Sequence, residues 1–190
     1  MSEEKKKEIP TDPSLNEKLL KTRSVMLTGE ISKESADLVI RQLLVLDSES
    51  SSPIKLYINS PGGDVEAGFA IYDTIRFISS PVTCVGMGLV ASAGTLVFLS
   101  VPQERRLSLP NTAYLIHQPL SGMQGVEIEI QIHAKQLEKL KARLNELIAE
   151  ATNNDIAKVT RDTERDYWLD AEEARAYNIV GRIIKSKSEI

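Results

Sequence analysis

An α/β fold in a single domain is the architecture this sequence predicts, on three observations. Strand-like and helix-like apolar patterns alternate along the chain, which is how repeated strand–helix units read. The length, 190 residues, gives one domain a sizeable core but is short for two. Hydrophobic residues make up 42% and charged residues 26%, an ordinary globular balance rather than a disordered or fibrous one.

The elements follow in order. Residues 24–28 (SVMLT) read as a short buried strand, and Ser32, just past Gly29, stands where an N-cap belongs. Ala36, Val39, Ile40, Leu43 and Leu44 then recur at helical spacing, one apolar face of an amphipathic helix. A serine-rich turn from Ser48 to Pro53 leads into a second strand over 54–59. Ser60-Pro61-Gly62-Gly63 breaks the chain before a helix carrying Val65, Gly68, Ile71, Ile75 and Ile78. A third strand is predicted over 82–87, a turn at Gly88, a third helix over 91–100 and a fourth strand over 112–116. The longest regular stretch, 126–151, opens on strand-period alternation (Val126, Ile128, Ile130, Ile132). It continues with Leu137, Leu140, Leu144, Leu147 and Ile148 on one helical stripe. The reading is a long helix with an ambiguous start, ended by Asn153-Asn154. A turn and short helix over 162–178 and a closing strand over 179–185 complete the chain.

Composition narrows the function. A formal net charge of −4 argues against nucleic acid or an anionic membrane surface as the main partner. The single cysteine, Cys84, forbids an internal disulfide and fits a reducing compartment. One Cys and two His frame no metal site unless carboxylates supply most ligands. The N-terminus, MSEEKKKEIPTDPS, is charged with no apolar stretch behind it, so it does not read as a signal peptide and the cytoplasm is the expected location. Residues 82–101 carry no charge over a membrane-spanning length. Three glycines, two serines and two threonines interrupt them, so a buried strand and helix are expected there instead.

Three places have chemical potential. Ser92 sits at a strand-to-helix junction among small residues, Gly88-Leu89-Val90-Ala91-Ser92-Ala93-Gly94, where a substrate backbone has room and the helix dipole favours developing negative charge. The string is not the Gly-x-Ser-x-Gly elbow, and a serine merely packed in a crowded helix is the blander alternative. His117 ends an apolar strand before Gln118-Pro119, where catalytic groups can emerge from a sheet, although for a lone histidine a satisfied structural role is the more common reading. The other histidine, His133, reads as a packing or surface residue of the long helix. For a third group to orient the imidazole, Asp155, Asp162, Asp166 and Asp170 all stand open, each also explicable as a cap or a solvated charge. Gly62 and Gly63 suit either an oxyanion hole or a bare turn.

Four strings, YINSPGGDVEAGFAIYDTI (57–75), GLVASAGTLVFL (88–99), LPNTAYLIHQPLSGMQG (109–125) and RDTERDYWLDAEEARAYNIV (161–180), occur in this order. On them the chain resembles the ClpP family, the proteolytic subunits of ATP-dependent Clp proteases, from about Leu19 almost to the C-terminus. The resemblance implies a crotonase-like ββα superhelix with a protruding handle at about 123–152, in a domain spanning 19–190 behind a polar, flexible segment 1–18. It implies Ser92 as nucleophile, His117 as base and Asp166 as acid, with the backbone N–H groups of Gly63 and Ala93 as oxyanion hole. It implies serine endopeptidase activity on unfolded polypeptides, stacked heptameric rings of this chain or of this chain with a second ClpP-type subunit, and a separate AAA+ Clp unfoldase. No cofactor or metal is expected. ATP would be used by the unfoldase, since the sequence has no Gly-x-x-x-x-Gly-Lys-Ser/Thr loop.

Three departures from the family stand out. The N-terminal segment is shorter and more polar than usual, and Lys55 replaces the usual aromatic in an unfoldase-docking pocket that Tyr57, Phe77, Met87 and Leu109 otherwise fit. Asn178 stands in Tyr177-Asn178-Ile179-Val180-Gly181 where the family has glycine, a mild change because Asn tolerates left-handed backbone. Two other classes compete: a catalytically silent or partner-activated ring subunit, and a crotonase-type acyl-CoA enzyme that shares the fold and needs no Ser–His pair.

Overall fold

The computed structural model describes residues 13–190. Most of the polar segment expected over 1–18 lies outside them; α1 (Pro13–Lys21) runs across the expected boundary at 18. The elements after it are β1 (Ser24–Thr28), α2 (Lys33–Glu49), β2 (Ile54–Ser60), α3 (Val65–Phe77), β3 (Val82–Ala91), α4 (Ala93–Phe98), β4 (Arg106–Ser108) and β5 (Ala113–Ile116). Then come α5 (Glu127–Thr152), α6 (Ile156–Asp162), β6 (Tyr167–Leu169), α7 (Ala171–Ala176) and β7 (Arg182–Ile183).

The sheet has the order β1-β2-β3-β4-β7, parallel throughout, and β5 pairs with the second half of β3 and antiparallel with β6. Ser32 caps α2 through Ser35 N–H, which fixes the first crossover where the sequence placed it. One face of β2 (Ile54, Leu56, Ile58) is fully buried under Ala36, Val39, Leu43 and Leu46 of α2 and Ala67, Ile71 and Ile75 of α3. The charge-free stretch 82–101 is spent on β3 and α4 inside this core, and among the described residues no helix is long and apolar enough to cross a membrane.

Several expectations are corrected. Gly88 does not end the third strand. Its backbone is left-handed (φ 67°) inside a ten-residue β3, where the register against β2 jumps from Ile58↔Gly86 to Ser60↔Val90. This is a bulge, and the Asn59 side-chain carbonyl accepts the Leu89 N–H at 3.1 Å to replace a ladder bond. The third helix is shorter than 91–100, because Ala91 still belongs to the strand. The segment 126–151 is helical from Glu127: alternating isoleucines over one turn are no obstacle once the carboxylates of Glu127 and Glu129 complement the helix N-terminus. Asn153 ends it in the left-handed region (φ 53°). The closing strand shrinks to two residues, and β4, α6 and β6 are additional elements. Asn178 does take the left-handed conformation (φ 65°), with its amide donating to the Thr152 carbonyl.

Candidate active site

The site is assembled by register. Ala91 at the end of β3 pairs with Leu115 of β5, so the next residues, Ser92 and then His117 two positions on, emerge from neighbouring strand ends about 4.8 Å apart. At Ser92 the chain turns sharply from strand to helix with φ 55° and ψ −122°, a conformation costing about 1–3 kcal/mol that surroundings must hold in place. They do so here. The Ser92 N–H donates to the Leu115 carbonyl at 3.0 Å, and the Thr95 hydroxyl lies at 2.9 and 3.0 Å from the Val90 and Leu115 carbonyls. The Ser92 hydroxyl makes no capping bond to α4 and is left to the cavity beside it.

Glycine is obligatory next to this turn. A Cβ on Gly62 (φ 91°) would lie 2.7 Å from both the Ala91 carbonyl oxygen and Ser92 Cβ. One on Gly63 (φ 143°) would collide with the Ile31 carbonyl. The Ile31–Gly63 bridge uses Gly62 O and Asp64 N–H, and the Gly63 N–H is not spent on it. The Ala93 N–H, first in α4, has no acceptor one turn back. Both expected oxyanion donors therefore lie in segments packed against Ser92.

His117 is the first residue beyond β5, its side chain 12% exposed. It shares with Ser92 a small cavity, about 30 Å³, walled mainly by apolar groups including Val65, Leu96, Leu144 and Ile148. The antiparallel register Tyr114↔Leu169, Leu115↔Trp168, Ile116↔Tyr167 makes Asp166 the next cross-strand partner of His117. Its Oδ1 is 3.6 Å from His117 Nδ1, an ion-pair distance somewhat longer than a hydrogen bond.

The other three aspartates have structural tasks. Asp155 caps α6, and Asp170 caps α7 in a reciprocal box with Glu173. Asp162 accepts from Lys158 Nζ at 3.0 Å and from the Tyr177 hydroxyl at 2.9 Å. Burial alone would raise its carboxyl, but those two bonds and the Lys158 and Arg161 charges outweigh burial and hold it below the ordinary carboxylate range. His133 reaches the Ser121 hydroxyl at 2.8 Å, tying α5 to the loop that follows His117. Sequence reasoning missed Thr95, whose hydroxyl meets carbonyls of β3 and β5 rather than of its own helix, and Gln118. Among the described residues no three His, Cys, Asp or Glu side chains cluster as metal ligands.

The family model for Clp protease matches residues 7–187. The chain is 52% identical over 190 residues to an ATP-dependent Clp protease proteolytic subunit 2 from Treponema denticola, covering 100% of this chain and 95% of that protein. It is 45% identical over 188 residues to a proteolytic subunit 3 from Rhizobium etli, covering 99% and 97% of the two chains. A solved structure of a ClpP1 mutant from Listeria monocytogenes superposes with a TM-score of 0.86 at 47% identity, covering 92% of this chain and 98% of that one. With that fold and those relatives, the chain belongs to the Clp protease family, as a ClpP paralogue of the serine endopeptidase class.

Proposed function

We propose that this chain cleaves unfolded polypeptides by a Ser–His–Asp acyl-enzyme mechanism inside a ring assembly. The observation that carries the reading is the meeting of Ser92 and His117 on one mainly apolar cavity with Asp166 at the imidazole. Ser92 Oγ attacks the peptide carbonyl carbon as His117 Nε2 takes its proton. The oxyanion is received by the Gly63 and Ala93 N–H groups. Collapse breaks the C–N bond, the amine leaves with the proton from His117, and a water activated by His117 then hydrolyses the ester. Asp166 keeps Nδ1 protonated and stabilises the imidazolium. The walls Val65, Leu96, Leu144 and Ile148 suit an apolar side chain next to the scissile bond. This chemistry needs no cofactor or metal.

The assembly is part of the proposal: stacked heptameric rings of this chain, alone or with a second ClpP-type subunit, fed in the cytoplasm by an AAA+ unfoldase that spends the ATP. Support comes from the start of α5, where Ile128, Ile130 and Ile132 and the preceding Val126 are 45–63% exposed in the single chain, more apolar surface than an isolated domain leaves open in one place. Lys55, half-buried on β2 beside Tyr57, places a charge on the surface expected to dock the unfoldase and favours a mixed ring. One observation favours a partner-activated subunit as the second reading: Asp166 is 62% exposed and stands beyond hydrogen-bond distance of His117 in the single chain. Labelling the purified full chain with a serine-reactive phosphonate and mapping the modified peptide tests the first reading. Label on Ser92 supports it; label that appears only after a second subunit is added moves the conclusion to partner activation, and label on another serine refutes it.

A further inference from the structure

The segment that presents Asp166 is lightly held. Residues 163–166 join α6 to the three-residue β6, and their acid is largely exposed. Outside the β5–β6 ladder, the bonds tying this segment to the strand of His117 come from the next residue, Gln118. Its backbone N–H donates to the Thr163 carbonyl at 2.7 Å, and its side-chain Nε2 donates to the Glu164 carbonyl at 2.7 Å. The amide orientation is unambiguous, since a carbonyl takes only a donor. Behind the segment, the buried Thr163 hydroxyl lies 2.9 Å from both Asn145 Oδ1 of α5 and the Val159 carbonyl of α6, so Thr163 is anchored from within while Glu164 is held by Gln118.

We infer that Gln118 is a positioning residue for the acid: its side-chain clasp on Glu164 sets how closely Asp166 approaches His117. The inference rests on the triad reading above. Gln118 is covalently next to His117 and Glu164 is two residues from Asp166, so the clasp spans the same gap that the 3.6 Å contact spans. Slack of an ångström there is enough to cost a large part of an oriented interaction.

The test is a double-mutant cycle on the full chain. It reads kcat and KM for a short peptide substrate, and single-turnover acylation of Ser92 by an activated ester followed by mass spectrometry, which stays measurable in slow variants. Gln118→Met keeps the shape and removes the donor; roughly tenfold lower kcat with KM within about twofold is expected. Gln118→Glu, which turns an acceptor toward the Glu164 carbonyl, is expected to lose more. In the Asp166→Asn background either change should cost less than about twofold, because the contact it serves is gone. Equal losses in both backgrounds make Gln118 a structural residue and overturn the inference, as does no loss from Gln118→Met while Asp166→Asn is damaging. An Asp166→Asn enzyme as fast as wild type, or a wild type in which Ser92 is never acylated, instead refutes the triad reading, and the inference falls with it.

Discussion

The junction that carries Ser92 and the segment that carries Asp166 meet at one site and are built by different means. Ser92 is held by its immediate neighbours in sequence and by the centre of the sheet. Its N–H extends the β3–β5 ladder, Thr95 bonds back to the same strands, and Gly62 lies so close that a side chain there would strike Ser92 Cβ. A strained backbone survives there because buried structure on every side determines it. Asp166 depends on a three-residue strand at the sheet's margin, a clasp from Gln118 and an anchor on α5. The Ser92 junction is thus built into the edge of the core, whereas Asp166 is brought in by contacts distant in sequence and remains open to adjustment by whatever packs against it.

The largest expected effect probes the rigid half. Ser92→Ala should abolish peptide hydrolysis, a loss on the order of 10⁶ in kcat, with particle mass and thermal stability close to wild type. Retained turnover in that variant would break the comparison at its root. The adjustable half is sharpened by two aspartates four positions apart. Asp166→Asn reverses the hydrogen-bonding polarity toward His117 and should lower kcat by about 10⁴ with little change in melting temperature. Asp162→Asn should do the converse, sparing kcat while costing about 1–2 kcal/mol of stability through lost bonds to Lys158 and Tyr177. The sign with pH follows from the depressed carboxyl of Asp162 in the folded state. Its contribution is complete above the unfolded value of about 3.9 and fades as pH falls through the lower folded value. The stability gap between wild type and Asp162→Asn should therefore be constant at neutral pH and close in acid. A gap that widens below about pH 4 would contradict the assignment.

The smallest effect on the single chain concerns α5. Ile128 and Ile132, 61% and 55% exposed, stand one turn apart, so Ile128→Lys with Ile132→Lys should change the stability of an isolated chain by less than about 0.5 kcal/mol each. If the helix packs between rings, the same pair should split the assembly. Light scattering that shows an unchanged particle mass would remove α5 from the interface.

Much of this was legible in the sequence, and the boundary is physical. The amphipathic faces of α2 and α3, the Ser32 cap, the charge-free strand-to-helix run of β3 and α4 and the left-handed Asn178 all follow from periodicity and backbone preference, which act over a few residues. Ser92, His117 and the Gly62-Gly63 pair could be singled out for the same reason: small residues at a strand end and glycines after a strand declare local geometry. Local physics was silent on the choice among Asp155, Asp162, Asp166 and Asp170, and there only family resemblance pointed to Asp166. Its place opposite His117 is set by the antiparallel register of β5 with β6, two segments fifty residues apart, and β6 is too short to announce itself by alternation. The bulge at Gly88 stayed hidden likewise, since a glycine in a strand looks like a turn until the Asn59 side chain from the next strand completes the ladder. The sequence by itself determined which residues were fit for chemistry; tertiary structure decided which of them face one another, because pairing distance and direction arise only when segments remote in the chain share a sheet.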